Sequence, residues 1–541
     1  ITKINKDKLN KFLFIIINTR YNYFILLFYM TKKLKSDLEK KSKINEETKE
    51  RMMSKIYKSE WSGYDLPNPF DVVKEFIKEK GLKLYGGLAL HSHLKKHKAG
   101  LYKGYEFPDY DVLSPDAWNH AKELADKLHK MGFMFVEARQ SVLNDYHHTT
   151  YKVSVDMMYL LDITQRGCTP KQLATNDCNT CGRNKNGTCA RLFDELPAYT
   201  LSYNKNAKSP RVYRKTYNYK TKKSLFPNKF FVMNPNWLKA QMFRELTEPL
   251  SNPSRLPKIG TRLKQFQKFY DFKLRQCPDS EYKKIVIKHK PILDEVGKYI
   301  KNKKLINYGA SAYNMFVRGT KHIGKLGVSV YKVYSVNPTS HEDKILKLLK
   351  DKFPKKELVS YKRLMFWREH EDIETVIGVK EGKQVNNIIT ITQHDNCMPY
   401  VQYNGIRYAT IDRLKYLYYE AMATPNFQRT VEDDPKNYEC LLTNLINAEK
   451  QYKKQKKTKK KSNGKRSRFR RYISKCQGDE YSKIVGNLID RWIDKTKTLK
   501  STHYYVNKPH KGYITKVSKM PNTELFLPYK PEEEDIKRNR K

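Results

Sequence analysis

Acidic residues are scarce in this chain. Asp and Glu number 57 against 107 Lys and Arg over 541 residues, a formal net charge of +50. A solvated surface alone has no need of that excess, and self-repulsion makes it costly. The imbalance therefore points to a polyanionic partner, nucleic acid first and an anionic membrane surface second. Cysteine is sparse too. Eight in the whole chain exclude a dense disulfide framework and fit a reducing compartment. A clean hydrophobic span is also missing. Residues 12–30, FLFIIINTRYNYFILLFYM, have the length of one, but Arg20 falls near the middle between Asn18 and Asn22. A central Arg opposes insertion by about 2.5–3.5 kcal/mol. No small-residue cleavage site follows, so the run makes a poor signal peptide. The first residue is Ile and the first Met is Met30. Residues 1–30 therefore read as a non-native upstream segment, and no stable membrane insertion is expected.

What the chain does contain is enough for a core: 39% apolar residues, with 39 Tyr and 23 Phe. Its length suggests more than one domain. An internal duplication supplies the plan. FIKEKGLKLYGGLAL (76–90) and YIKNKKLINYGASAY (299–313) align without a gap at an offset of 223, with seven of fifteen positions identical. Both read as helix, short strand, glycine turn, helix. Farther on, LKAQMFRELTEP (238–249) resembles LKYLYYEAMATP (414–425) at an offset of 176, each an amphipathic helix stopped by Pro. The difference leaves 47 extra residues in the first copy. The expected architecture is α/β (α+β), two domains of one design. Residues 31–75 form an N-terminal helical region, 76–290 the first domain, 291–450 the second, and 451–541 a basic arm and C-terminal region. Within the arm, KKQKKTKKKSNGKRSRFRR (453–471) has too few apolar residues for a core and suits phosphate backbones without sequence preference.

The extra residues have a candidate at about 165–212. Cys168, Cys178, Cys181 and Cys189 fall there, with Cys-x2-Cys at the centre among turn residues. Four thiolates on a small loop would suit a structural Zn²⁺. The spacing is irregular and no second Cys-x2-Cys exists, so free thiols and a disulfide remain alternatives.

The chemistry lies in the first copy. KLYGG ends a strand on Gly86 and Gly87, and a helix follows. Glycines there let backbone N–H groups approach a phosphate at the positive end of the helix dipole. PDYDVLSPD then carries Asp109 and Asp111. In a strand, i and i+2 point to one face. Two carboxylates aimed at one point are unfavourable without a cation, which argues for Mg²⁺. A third carboxylate comes from TTYKVSVDMMYLLDITQ. Asp162 sits in an apolar stretch where a bare carboxylate is costly; Asp156, with Lys152 and Ser154 on a polar face, is the alternative. In the second copy, VSVYKVYS (328–335) replaces PDYDVLS. Lys332 matches Asp109 without a gap and Asp111 with a two-residue gap. Either way the second copy lacks the acidic pair.

Gly86-Gly87, then Asp109-x-Asp111, then a later strand carboxylate resembles the polymerase-beta-type nucleotidyltransferase superfamily. The wording YGGLAL…PDYDVLS…LLDIT is closer still to poly(A) polymerase catalytic subunits of large cytoplasmic DNA viruses, specifically over 76–165 and diffusely to about 450. The stretch of 22 residues from Gly87 to Asp109 is longer than is typical of the superfamily. The resemblance implies two tandem nucleotidyltransferase-like domains, mixed sheets flanked by helices, the second degenerate. It implies template-independent polyadenylation of RNA 3′ ends from ATP by two metal ions, Mg²⁺ or Mn²⁺. Asp109 and Asp111 would hold both ions, Asp162 the one at the RNA hydroxyl, and Gly86-Gly87 the triphosphate. It further implies RNA and ATP as partners, a homodimer or a viral processivity partner, and a place in the virion or in viral factories of the host cytoplasm. Another terminal nucleotidyltransferase using UTP or CTP, or a noncatalytic RNA-binding protein on a transferase scaffold, would satisfy the same composition.

Overall fold

The computed structural model describes residues 66–102, 110–133, 136–141, 150–155, 158–175, 192–200, 211–247, 255–271, 289–321, 323, 325–364, 373–394, 398–423, 435–458, 469, 476–477 and 504–506. The described residues 67–101 and those from 110 onward belong to one compact unit, which contains both sheets. Among the described residues no helix is long and apolar enough to cross a membrane; the 12–30 run lies outside them.

The first copy opens with helix α1 (Pro69–Lys80). Asn68 caps it by accepting from the Phe70 amide at 2.9 Å, Pro69 supplies a preset φ at the first position, and Gly81 ends it in the left-handed conformation. Strand β1 (Lys83–Tyr85) runs into helix α2 (Gly86–Lys95). Then come β2 (Tyr110–Ser114), α3 (Ala117–Lys130), β3 (Val136–Gln140), β4 (Thr150–Val155), β5 (Met158–Gln165), β6 (Ala198–Thr200), the hairpin β7 (Tyr217–Asn218) and β8 (Lys223–Ser224), β9 (Phe231–Met233), α4 (Pro235–Thr247) and α5 (Leu256–Phe269). The second copy repeats this with α6 (Lys290–Asn302), β10 (Ile306–Tyr308), α7 (Gly309–Val317), β11 (Tyr331–Ser335), α8 (Pro338–Lys352), β12 (Leu358–Leu364), β13 (Ile373–Glu381), β14 (Gln384–Gln393), β15 (Met398–Tyr403), β16 (Ile406–Ala409), α9 (Ile411–Ala423) and α10 (Pro435–Thr458).

The sheets make the duplication explicit. With β17 (Cys476–Gln477) and β18 (Tyr504–Val506) added, one has the order β18-β3-β4-β5-β2-β1-β9-β6, the other β12-β13-β14-β11-β10-β16-β15-β17. Seven strands correspond, with parallel pairing at β2/β5 and β1/β9 matched at β11/β14 and β10/β16. The eighth strand is added at opposite edges: β18 (Tyr504–Val506) beside β3, and β17 (Cys476–Gln477) beside β15. Even the irregularity repeats. The β4/β5 register shifts between Val153 and Ser154, and β13/β14 shifts between Ile377 and Gly378. A bulge kept in both copies, beside the candidate site, is a built feature of the sheet. The fold is therefore the expected mixed α/β design with tandem domains.

The register also separates two readings that the bare alignment left open. Tyr85 pairs with Asp111, and Tyr308 pairs with Lys332. Lys332 thus stands at the Asp111 position, as the gapped alignment has it. The extra residues of the first copy fall in two connections, not in the Cys-rich segment alone. Residues 166–197 join β5 to β6 where 394–397 suffice in the second copy, and 201–230 join β6 to β9 where 404–405 suffice. Fully buried Lys83 ties these connections beneath β1, donating to the carbonyls of Phe193 (2.7 Å), Leu196 (2.9 Å) and Arg214 (2.5 Å). Burial pushes its pKa down to about 7.

The two copies meet through equivalent helices. Phe243 of α4 stacks on Tyr419 of α9 at 5.7 Å and 10°. Lys239 of α4 lies 4.5 Å over the Tyr419 ring, and Lys415 of α9 lies 5.5 Å over the Phe243 ring. The offset of 176 takes 239 to 415 and 243 to 419, so the contact is reciprocal, as in a two-fold interface. This is why α9 departs from the amphipathic expectation. Residues 411–420 are buried on every face, because one side packs on α4 and another on α10, while Arg413 reaches the Tyr334 hydroxyl of β11.

Candidate active site

The site grows from the β1–α2 turn. Tyr85 ends β1 in extended conformation, and Gly86 takes φ +67° to redirect the chain into α2. A side chain at Gly86 would be excluded twice. That φ is strained for any L-residue, and a Cβ there would lie 2.1 Å from Asp111 Oδ2. The Asp111 carboxylate thus packs directly on the glycine, at the positive end of the α2 dipole. Gly87 is buried in the first turn.

Asp111 lies on β2, level with Asp162 on the adjacent parallel strand β5. Neighbouring strands stand about 4.8 Å apart, and registered partners face the same side. The two carboxylates are therefore side by side. Lys152, across from Asp162 on β4, places its Nζ 2.6 Å from Asp162 Oδ2. The apolar surroundings that made Asp162 stand out in the sequence are thus offset by an ion pair that sequence reading did not draw. The signal was available: Lys152 alternates onto the polar face of a strand antiparallel to β5. Below the acids, the Tyr85 hydroxyl is 2.8 Å from Thr164 Oγ1, which is 2.9 Å from Thr150 Oγ1. This link fixes the strand bearing the glycine turn to the strand bearing Asp162. The second copy keeps the link, with Tyr308 OH 2.6 Å from Thr392 Oγ1.

Asp109 lies outside the described residues, as do Asp156, Cys178, Cys181 and Cys189. Among the described residues no group of three His, Cys, Asp or Glu side chains is poised for a metal. The donor chemistry of Asp111 and Asp162, hard carboxylate oxygens, nevertheless fits Mg²⁺ or Mn²⁺. Cys168 is buried and disulfide-bonded, so this structure does not offer its thiolate to zinc. In the second copy Lys332 is level with Thr390, and Thr390 is level with Val376. Asp111, Asp162 and Lys152 are thus replaced by Lys, Thr and Val. Gly309 keeps φ +67°, with the aliphatic stem of Lys332 packed against it. The turn survives without its acids.

One more buried polar group was missed by sequence reading. His120 on α3 holds Ser114 Oγ at 2.8 Å, and Ser114 Oγ accepts from the Asp116 amide at 3.0 Å. Burial pushes the His120 pKa down to about 3, so the ring is a neutral brace at the far end of β2.

Comparison with known proteins agrees with the resemblance read from YGGLAL, PDYDVLS and LLDIT. Residues 71–175 match the family described as "Poly(A) polymerase catalytic subunit". Over 107 residues the chain is 34% identical to the putative poly(A) polymerase catalytic subunit of African swine fever virus, covering 20% of this chain and 22% of that protein. Over 96 residues it is 32% identical to the putative subunit of Acanthamoeba polyphaga mimivirus, covering 17% and 16%. The matched segments thus span about a fifth of these relatives or less. Among solved structures, the Megavirus polyadenylate synthase superposes with a TM-score of 0.60 over 94% of this chain and 86% of that one, at 17% identity. That likeness is one of fold, and it extends across both copies.

Proposed function

We propose that the chain is a poly(A) polymerase catalytic subunit that adds AMP from ATP to RNA 3′ ends without a template. The observation that carries this reading is the placement of Asp111 and Asp162 side by side, against the Gly86 turn, within the segment that matches the family. In the reaction, the RNA 3′-hydroxyl loses its proton to solvent and its oxygen bonds to the α-phosphorus of ATP. The bond from that phosphorus to the β-phosphate oxygen breaks, and pyrophosphate leaves. Bound Mg²⁺ or Mn²⁺ would lower the hydroxyl pKa and neutralise charge developing on the triphosphate. Asp109 and Asp111 would supply ligands to both ions, and Asp162 to the one on the hydroxyl side. The N–H groups of the Gly86-Gly87 turn would cradle the β- and γ-phosphates. Lys152 holds the Asp162 carboxylate in place beside the other acid, so positioning costs nothing at the moment of reaction.

The test is incorporation of each labelled NTP separately onto a short RNA by the full chain, with Mg²⁺ or Mn²⁺. Long products with ATP alone are expected. Extension with UTP or CTP would move the chain to another terminal nucleotidyltransferase class. RNA binding with no incorporation from any NTP would favour a noncatalytic binder.

A further inference from the structure

At the far ends of α2 and α5, away from the acidic site, two solvent-exposed aromatic rings stand stacked. Phe269 and Tyr361 are the aromatic members of the exposed large hydrophobic side chains among the described residues. Phe269 is 39% exposed and stacks on the exposed ring of His97, 4.8 Å apart with 18° between the planes. The pair sits on a braced floor. Tyr270 packs face to face with Phe266 at 4.7 Å, meets His97 edge-on at 5.4 Å, and donates its hydroxyl to the His93 carbonyl at 3.1 Å. Gln265 donates to the Ala99 carbonyl at 3.0 Å, tying the end of α5 to the turn after α2.

That turn is itself held in shape. Ala99 N–H reaches the Leu94 carbonyl and Lys98 N–H the Lys95 carbonyl, a Schellman ending with Lys98 at φ +56°. The strained position thus carries a lysine where glycine would be at ease. Lys95, Lys98 and Lys268 each lie within two residues of one ring or the other, and all three are exposed. Lysines at helix C-termini would suit the dipoles in any case; a solvent-facing stacked ring pair between them gains nothing from the dipoles. The acid next in sequence, Asp271, exerts its charge on buried Lys239 and Tyr419.

We propose that His97 and Phe269 form a base-stacking platform for single-stranded RNA, with Lys95, Lys98 and Lys268 as its phosphate contacts. Flat aromatic faces ringed by cations are the combination that binds single strands without reading sequence. The platform lies one helix length from the acids. Gly86 and His97 bracket α2, a rise of about 16 Å at 1.5 Å per residue. It would therefore hold RNA upstream of a 3′ end seated at Asp111 and Asp162. This rests on the polyadenylation reading for the identity of the substrate, but its test does not need catalysis.

The test is equilibrium anisotropy of a fluorescent 20-nucleotide oligo(A) with the full chain, without ATP, across a salt series. Replacing both rings (His97→Ala with Phe269→Ala) should weaken binding roughly 5- to 150-fold, the worth of a stacked base, and leave the salt slope unchanged. Phe269→Leu keeps the apolar bulk and should weaken binding in the same direction. Lys98→Ala with Lys268→Ala should instead flatten the slope by about 1.4, two single-strand phosphate contacts. Affinities within twofold of wild type for both ring variants would overturn the platform. So would a wild-type dimer that dissociates in those variants with RNA affinity unchanged, which would assign the rings to a contact between copies. Wild type that binds RNA through the rings but incorporates no nucleotide would sink the polymerase reading and leave the platform standing.

Discussion

Gly86→Ala and Gly309→Ala form a matched pair that separates backbone strain from damage to the site. Both glycines have φ +67° at the same turn of the same design. Placing alanine there costs about 1–2 kcal/mol in either copy. The resulting fall in melting temperature should be similar for the two variants. Their neighbours differ. At Gly86 the new Cβ would sit 2.1 Å from Asp111 Oδ2 and 2.7 Å from its Cγ, while at Gly309 the nearest atom is Lys332 Cδ at 3.1 Å. The lysine stem can swing aside. The carboxylate must move by about 1 Å or more to restore contact distance, and a misplacement of that size costs about 100-fold in rate. Differential scanning fluorimetry reads the first effect, and single-turnover extension of a labelled RNA with ATP reads the second. Equal melting shifts with activity lost only in Gly86→Ala are expected. A Gly86→Ala enzyme above a tenth of wild-type rate, or a Gly309→Ala enzyme equally inactive, would refute the assignment of Asp111 to the reacting site.

Other perturbations test neighbouring links. Asp162→Asn should abolish extension while Asp156→Asn spares it, because Asp162 is the acid level with Asp111; the opposite ranking would move the third carboxylate to Asp156. Burial lowers the Lys239 pKa to about 8, below its value near 10.4 in an unfolded chain. The unfolded chain therefore binds the extra proton between those values, and the contribution of Lys239 to stability rises as pH climbs from about 8 to about 10. The wild-type melting temperature should gain on that of Lys239→Met over this window, and a flat difference would show that the ammonium is not desolvated. A fragment of residues 31–290 should be insoluble or inactive, since Trp237, Leu238, Ala240 and Phe243 of α4 are buried in a helix that packs on α9. A soluble, fully active fragment would make the second copy a detachable accessory.

Local patterns were readable from the sequence, and pairings across strands were not. The glycine turn, the following helix and the offsets of 223 and 176 rest on short-range signals, and each reappears in the fold: β1 and β10 differ by 223, β9 and β16 by 176 at their ends. Whether Lys332 answers to Asp109 or Asp111 depended on a loop-length difference that only the ladder could place. The split of the extra residues between two connections was hidden for the same reason, since no local signal marks where a strand pairs. Lys83, Lys239 and Lys415 read as surface charges by type. Their burial depends on carbonyls, rings and carboxylates contributed from other parts of the chain, such as Glu449, 2.5 Å from Lys415 Nζ.

The reciprocal α4–α9 contact explains why a copy without acids keeps so much of the design. Replacing the counterparts of Asp111 and Asp162 by Lys332 and Thr390 removes two carboxylates but relieves no packing constraint. Tyr308 still bridges to Thr392, Gly309 still turns, and the bulge still bends β13 against β14. The pressure comes through the interface. Phe243 and Tyr419 stack, and each lysine lies over the other copy's ring, so neither helix can shift without stranding a buried ammonium. Leaving such a charge unpartnered costs several kcal/mol. The two ends of the contact are not equal, however. Lys415 reaches the Glu449 carboxylate at 2.5 Å, whereas Lys239 donates to the neutral Tyr270 carbonyl at 2.9 Å. The better-compensated charge lies in the copy that has lost its acids. The weaker one lies on α4, in the copy that carries them and next to the segment ending in Phe269 and Tyr270. The copy without acids thus offers the better-compensated side of the contact against which the acid-bearing sheet and the end of α5 are packed.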